Sequence, residues 1–352
     1  MTLTRRRFLS IAAASTAAPL ALTSLASARR RQLVPFTYFQ WQGIPRGPQR
    51  QSGGGGATGY ASGMMVAMGE GGNALAMARE GELLLIDCKN APFGDILKRE
   101  SLIAPFDSGR TELALVINTH HHADHTGGNW AFTADHTVLA HAKVSERVAG
   151  QLDRYTAGAA DAPNQANGDD PKAKIVRPYL EKFAERAPQL TAADFQPNDA
   201  LKSDHETREV GGVTIQLHHF GAGHTDTDVA VYFPKENVLH TGDLLFNGLH
   251  PFCDAPGGCT TRGWQRSLSE LINLCNDDTI VIPGHGDITN TAALRTQREY
   301  FDRVREIVSD ARARGLTRDE VTQLPPTGFE SLGFQQIWPR VLGVAFDEAA
   351  AG

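Results

Sequence analysis

The sequence predicts a layered α/β domain, and three features of the chain predict it. Short apolar runs such as Leu113-Ala114-Leu115-Val116-Ile117 and Thr279-Ile280-Val281-Ile282 alternate with longer stretches of helical periodicity. Side chains able to bind metals stand in Gly-containing turns at the ends of those runs, where a sheet edge presents them rigidly. The chain carries no Gly-x-x-x-x-Gly-Lys-[Ser/Thr] loop and no Gly-x-Ser-x-Gly elbow, which removes the P-loop and serine-hydrolase versions of such a fold. A chain of 352 residues with 41% hydrophobic residues is long enough and apolar enough for a full core.

Taken in order, residues 1–28 read as an export signal. Thr4-Arg5-Arg6-Arg7-Phe8-Leu9-Ser10 resembles the twin-arginine consensus, an Ala/Leu-rich stretch follows, and Ala26-Ser27-Ala28 is a small-x-small cleavage site. The stretch is short and rich in Ala, Ser and Thr for a membrane span, so cleavage with no lasting anchor is the expectation. That places the mature protein in the periplasm or outside the cell, with the twin-arginine machinery as a transient partner. Residues 29–63, with Gly53-Gly54-Gly55-Gly56, read as a linker or surface arm that Phe36, Tyr38, Phe39 and Trp41 can dock onto the body.

The body is expected over 64–315. Met64–Met68, Asn73–Ala78 and Glu82–Cys88 form a meander of strands; Pro92–Ile103 holds a short helix; Leu113–Ile117 is a buried strand. A helix starts in Thr126–Ala131, and Thr137–Ala140 is a short strand. Residues 150–205 read as an insertion: Gly158–Pro171 is too polar and broken for a core element, and Ile175–Arg186 is an amphipathic helix. The insertion is either a lid over the site or a plain surface excursion. Val213–His219, Asp228–Phe233, Asn237–His240 and Thr279–Ile282 are strands, while Arg262–Cys275 and Ala292–Arg314 are helices. Residues 316–352 read as a C-terminal tail with one further short helix at most.

The chemistry gathers in four turns. Thr119–Gly128 contains His-x-His-x-Asp-His, with His120, His122, Asp124 and His125 as candidate ligands; His224, Asp243 and His285 follow singly in Gly221–Asp226, His240–Asp243 and Pro283–Gly286. Imidazole with carboxylate suits zinc, with iron or manganese as alternatives. His121 stands between two ligands and is expected to point away; His136, His141, His205, His218 and His219 are expected at the surface or as satisfied core groups. His240 and His250 lie near the site in sequence, where a supporting role is open.

With these motifs in this order over about residues 64–290, the chain resembles the metallo-β-lactamase superfamily. The resemblance implies a single-domain, four-layer αββα sandwich with two zinc ions along one edge. It implies His120, His122 and His224 on the first metal, Asp124, His125 and His285 on the second, and Asp243 bridging both. Asp124 would also orient a metal-bound hydroxide for attack on a carbonyl. Asp87 stands where the family has a supporting Asp near the metals, although Lys89 replaces the usual glycine two positions on; a strand-end turn residue is the other reading. One group of the β-lactamases has a metal-binding cysteine where Asp243 stands, so the ligand set is closer to the glyoxalase II and lactonase branches.

Two divalent cations set against Asp124, Asp243 and a hydroxide leave about one positive charge, which favours the oxyanion of an acyl transition state over its neutral ground state. The expected substrate is therefore a small-molecule lactone, ester, thioester or β-lactam. A true β-lactamase, and a metal-containing binding protein without turnover, are the alternatives. A net charge of −6 and no basic run beyond the N-terminus argue against a nucleic-acid partner. None of Cys88, Cys253, Cys259 and Cys275 has Cys-x-x-Cys spacing, so a zinc knuckle is not expected; Cys253 and Cys259 can close a loop as a disulfide or stay as thiols.

Overall fold

Side chains on a strand alternate between two faces, and here both faces are apolar, which requires a covering layer on each side. Leu75 and Met77 join one core while Ala74 and Ala76 join another; Val231 and Phe233 likewise part from Ala230 and Tyr232. The computed structural model, which describes residues 38–44, 63–103, 111–166 and 168–351, shows those layers. The proposed export signal at 1–28 lies outside the described residues, as do residues 29–37 and 45–62 of the arm.

The first sheet holds β1 (Gln40–Gly43), β2 (Met64–Met68), β3 (Ala74–Arg79), β4 (Glu82–Ile86), β5 (Glu112–Ile117), β6 (Val138–Ala140) and β7 (Asp199–Ala200) in that order. Its first four strands are antiparallel and β4 to β7 run parallel. Between them lie α1 (Gly94–Ile103), α2 (Ala123–Thr126), α3 (Val144–Ala149), α4 (Leu152–Thr156), α5 (Pro171–Arg186) and α6 (Ala192–Phe195). The second sheet, in order β13-β12-β11-β10-β9-β8, contains β8 (His205–Val210), β9 (Val213–His218), β10 (Ala230–Phe233), β11 (Val238–His240), β12 (Ile280–Ile282) and β13 (Thr289–Asn290). Its helices are α7 (Thr261–Leu274), α8 (Thr291–Ala313), α9 (Arg318–Thr322) and α10 (Trp338–Ala351). One apolar core lies between the sheets, a second under α1 and α5, and a third under α7, α8 and α10, giving the αββα order.

Strand direction gathers the site. Strands β4 and β5 are parallel to each other, and β9, β11 and β12 share one direction in the second sheet. The turns leaving them, which carry every candidate ligand, therefore emerge at common sheet edges. Two backbone bonds join these edges across the sandwich: Val229 N–H donates to Thr119 O at 2.7 Å, and Asn73 N–H donates to Gly284 O at 2.7 Å.

Three boundaries differ from those read in the sequence. The body begins before residue 64, because β1 pairs with β2 and the buried Phe39, Trp41 and Ile44 anchor it. Glu100, itself buried, accepts from the Tyr38 and Phe39 amides and from Trp41 Nε1, which supplies the polar half of that anchor. The insertion is largely core rather than lid: Ala159, Ala162, Ala166, Val176, Leu180 and Phe183 are buried in the layer on the first sheet. Small alanines suffice to pack there because the 3₁₀ segment Ala159–Gln165 lies directly against α5. The C-terminal segment is no tail. Trp338, Val341, Leu342 and Ala345 of α10 form a buried stripe against α8, and Glu348 accepts from the Thr261 amide at the start of α7, 2.7 Å away. No helix of the described residues is long and apolar enough to cross a membrane.

Candidate metal centre

All seven candidate ligands come together in two abutting groups. Ligand atoms of His120, His122, His224 and Asp243 lie within 4.8 Å of one another, and so do those of Asp124, His125 and His285. In the first group His122 Nδ1 is 2.9 Å from His224 Nε2, and Asp243 Oδ2 is 3.3 Å from His224 Nε2 and 3.7 Å from His120 Nε2. In the second, His285 Nε2 lies 3.1 Å from Asp124 Oδ2, and His125 Nε2 lies 3.6 Å from it. Asp243 faces both groups, with Oδ1 3.1 Å from His125 Nε2 and Oδ2 3.5 Å from His285 Nε2. Gly284 permits this closeness, since a Cβ there would meet Asp243 Oδ1 at 1.9 Å.

The far nitrogen of four imidazoles is fixed by a partner, and that decides which nitrogen faces inward. His125 Nδ1 donates to Asp87 Oδ2 at 2.7 Å, and His224 Nδ1 donates to the carbonyl of Phe252 at 2.7 Å. The Thr119 hydroxyl donates to Asp87 Oδ2 at 2.8 Å, so it accepts from His120 Nδ1 at 3.0 Å. His122 is turned the other way, with Nε2 donating to Asp254 Oδ2 at 2.8 Å. Each ring therefore directs a lone pair to the centre, and two such lone pairs, on His122 and His224, meet at 2.9 Å. His120 Nε2 and His125 Nε2 are buried with no hydrogen-bond partner. Inward lone pairs, orphaned buried nitrogens and a shared carboxylate fit divalent cations, with donors of the type zinc favours.

The electrostatics divide the rings: burial opposes the charge on His125, but Asp243, Asp87 and Asp124 hold it well above the ordinary histidine range in the metal-free site. Burial holds His120 well below the ordinary histidine range and His224 down to about 3. Burial opposes the charge on Asp243, but His285, His125 and His120 hold its carboxyl well below the usual range. For His285 burial works against protonation, yet Asp243 and Asp124 bring it up to about 9. Carboxylates that hold protons on neighbouring imidazoles in this way exchange them for a cation on metal binding.

Several supporting residues appear only in three dimensions. Asp87 is fully buried and also accepts from the Thr119 amide at 2.8 Å, so it supports the metal edge as the family pattern implied. Asn73 Nδ2 donates to Pro283 O and Gly286 O, both at 2.9 Å, gripping the His285 turn; Gly72 N–H donates to Asp124 O at 3.1 Å, gripping the other turn. Gly72 must be glycine, because a Cβ there would meet the His125 ring at 2.0 Å. Lys89, fully buried and with its pKa lowered by burial to about 7, donates to Ala67 O at 2.7 Å and Gly72 O at 2.6 Å, tying down the same loop. His121 stays outside the two groups, with Nδ1 bonding Thr227 Oγ1 at 2.9 Å, but it does not point wholly away: its Nε2 lies 3.6 Å from Asp254 Oδ2, and His121, His122 and Asp254 make a third cluster of potential ligands. His240 lies beneath the loop with Nε2 3.1 Å from Asn73 O, and His250 Nδ1 bonds the Tyr300 hydroxyl at 2.8 Å; neither is in a ligand group.

Residues 67–285 match the family model described as the metallo-beta-lactamase superfamily. The chain belongs to the metallo-beta-lactamase superfamily. It is a metal-dependent hydrolase of that superfamily. It is 28% identical over 246 residues to the probable metallo-hydrolase YqjP of Bacillus subtilis, covering 66% of this chain and 69% of that one. It is 23% identical over 107 residues to a metallo-beta-lactamase type 2 of Bacteroides fragilis, covering 30% of this chain and 43% of the relative. Among solved structures it is similar to the sec-alkylsulfatase Pisa1 from Pseudomonas sp., with a TM-score of 0.54 at 18% identity. That match covers 81% of this chain and 49% of the sulfatase, and it speaks to the fold alone.

Of the residues that sequence reasoning missed, Asp254 is the most consequential. It is separated from His122 by 132 positions and lies in a polar turn with no apolar run before it, so nothing local marked it. Asn73 and Lys89 did carry a signal: a polar residue just before a strand, and a lysine three positions beyond the apolar run Leu83–Ile86.

Proposed function

We propose that this metallo-beta-lactamase superfamily member is a binuclear zinc hydrolase of a small-molecule lactone, ester, thioester or β-lactam. The four inward-facing imidazole lone pairs, with Asp243 between the two ligand groups, carry this reading. When bound, two zinc ions supply Lewis acidity for a carbonyl oxygen and a nucleophilic water near neutral pH. His120, His122 and His224 would hold one ion, Asp124, His125 and His285 the other, and Asp243 both.

The chain's own residues supply the positioning. Asp124, with a side chain 29% exposed, is the most open carboxylate of the site and can orient an attacking water through its free oxygen. Its Oδ2 is fixed 3.1 Å from His285 Nε2, which sets the direction in which the carboxylate faces. Phe246, stacked on His285 at 5.1 Å between ring centroids, shields the inner side of the ligands from solvent.

The test is a panel of chromogenic β-lactam, γ-lactone, ester and thioester on zinc-loaded protein, with and without chelator. Chelator-sensitive turnover of one class is the expected result, with zinc content and activity falling together in Asp243→Ala. Full activity in a zinc-free Asp243→Ala protein would refute the proposal. We further propose export by the twin-arginine route on the strength of Arg5-Arg6-Arg7-Phe8-Leu9; detection of only unprocessed, cytoplasmic protein in the producing cell would refute that.

A further inference from the structure

The C-terminal segment does more than cover the second sheet. Gly333 N–H donates to Gly248 O and Gly333 O accepts from the His250 amide, both at 2.9 Å, so the segment is bridged to the loop that follows Asp243. That bridge holds Phe334 in the left-handed region, at φ 59° and ψ 38°, where side chains other than glycine are rare. The ring is thereby placed 6.2 Å from the His285 ring, half-buried at the margin of the core under α7, α8 and α10. On the other flank, half-buried Phe252 lies 5.7 Å from the His122 ring and 6.2 Å from the His224 ring. Arg340, exposed at the start of α10, sets its guanidinium 4.5 Å from the centre of the Phe252 ring and makes no ion pair among the described residues.

A half-buried phenyl ring thus borders each ligand group, and an unpaired guanidinium stacks on one of the two, which supplies apolar contact and a positive charge close to the metal ligands. Surface arginines commonly pair with carboxylates, as Arg318 does with Asp347 nearby on α10. Arg340 instead stands free over an aromatic ring that borders the metal ligands.

We infer that this surface is an acyl-chain subsite that selects substrates carrying a carboxylate at the far end of an apolar chain, with Phe252 and Phe334 contacting the chain and Arg340 the carboxylate. The inference rests on the hydrolase reading above. In the reaction a water oxygen bonds to the acyl carbon, the acyl C–O bond breaks, and the leaving oxygen departs with the bonding electron pair and takes one proton of the water to become the alcohol or phenol, the water's other proton passing to solvent as the new carboxylate forms; the distal carboxylate takes no part and serves only for binding.

The test compares mono-4-nitrophenyl esters of glutaric, pimelic and azelaic acid with 4-nitrophenyl esters of the matching monocarboxylic acids, using the full zinc-loaded chain. The wild type should favour the anionic ester at one chain length. Arg340→Gln should lower kcat/KM for that ester about tenfold, the order of one charge-assisted contact, and leave the neutral ester within about twofold. Arg340→Lys should restore part of the loss, and Phe334→Ala should lower kcat/KM for both longer-chain esters. An unchanged anionic-to-neutral ratio in Arg340→Gln would overturn the subsite while leaving the hydrolase reading intact. Calorimetric titration with the free dicarboxylates, and with the matching monocarboxylates as controls for zinc binding, reads the subsite without turnover. Dicarboxylate binding that weakens about tenfold in Arg340→Gln, in a protein that hydrolyses nothing, would retain the subsite and refute the hydrolase reading alone. Equal affinity for the mono- and dicarboxylates, unaltered by Arg340→Gln, would again overturn the subsite.

Discussion

Asn73→Ala should separate the second metal site from the first. The Asn73 side chain is 4% exposed, and its amide donates 2.9 Å bonds to Pro283 O and Gly286 O on either side of His285. Truncation leaves the buried Pro283 carbonyl without that donor, a cost of about 1–3 kcal/mol. Gly286 O is partly open to water, so its loss is nearer about 0.5–1.5 kcal/mol. Together the native state should lose about 1.5–4.5 kcal/mol, read as a lower urea midpoint in zinc-free protein. The functional consequence is local. The His285 turn loses its side-chain tether to the loop whose Gly72 also holds the Asp124 carbonyl, so the spacing of His285 and Asp124 relaxes. Loss of a partner of this kind typically weakens metal affinity about 10–100-fold. The assay is a competitive zinc titration against a chromophoric chelator: one zinc equivalent should weaken by that factor and the other should stay within about twofold. Equal weakening of both equivalents, or unchanged affinities alongside a lowered urea midpoint, would refute the claim that Asn73 positions the second site.

Asp254→Ala should act on the opposite group, because it frees His122 Nε2 and with it the tautomer that directs Nδ1 inward; the first zinc equivalent should weaken about 10–100-fold, while Asp254→Asn, which keeps an accepting oxygen, should retain most of the affinity in the same titration. Equal effects of the two substitutions would show that charge rather than tautomer control matters. Acid should destabilise the fold through histidines remote from the metals. Burial, then His205, lowers His218 to about 4, and burial, then His219 and Lys143, lowers His141 to about 4. Each ring takes up a proton on unfolding at pH values between about 4 and the unfolded value of about 6.5, so stability falls as pH drops through that window and levels off below it for these groups. Urea midpoints across that range should show a shallower slope in His218→Gln, and an unaltered slope would contradict the assignment.

How far the site could be read from the sequence follows from how local its determinants are. The ligands were legible because each closes a strand: Ile117, His240 and Ile282 end β5, β11 and β12, and the turn beyond each carries the donor residues. Faces were legible from composition, as Leu83–Ile86 is apolar throughout and is covered on both sides. Partners that tune the imidazoles were not, because Asp254 and the Phe252 carbonyl reach His122 and His224 from a turn with no periodic pattern. Strand β1 was hidden by the Gly- and Pro-rich sequence on its C-terminal side; only pairing with β2 and the anchoring of Trp41 on Glu100 reveal it. Helix α10 was under-read, as one further short helix at most in a tail, although Trp338, Val341, Leu342 and Ala345 follow helical spacing. The insertion at 150–205 was misjudged for the converse reason: alanines that look uninformative in sequence fit the tight space between its 3₁₀ segment and α5.

The measurement that bears most directly on the central claim is calorimetric titration of zinc into metal-free wild-type protein, run beside Asp243→Ala and His285→Ala. Two equivalents in the wild type, one surviving in His285→Ala, and both weakened in Asp243→Ala are the pattern that two abutting groups sharing one carboxylate predict. A single equivalent in the wild type, or two equivalents untouched by Asp243→Ala, would contradict a binuclear centre bridged by that residue.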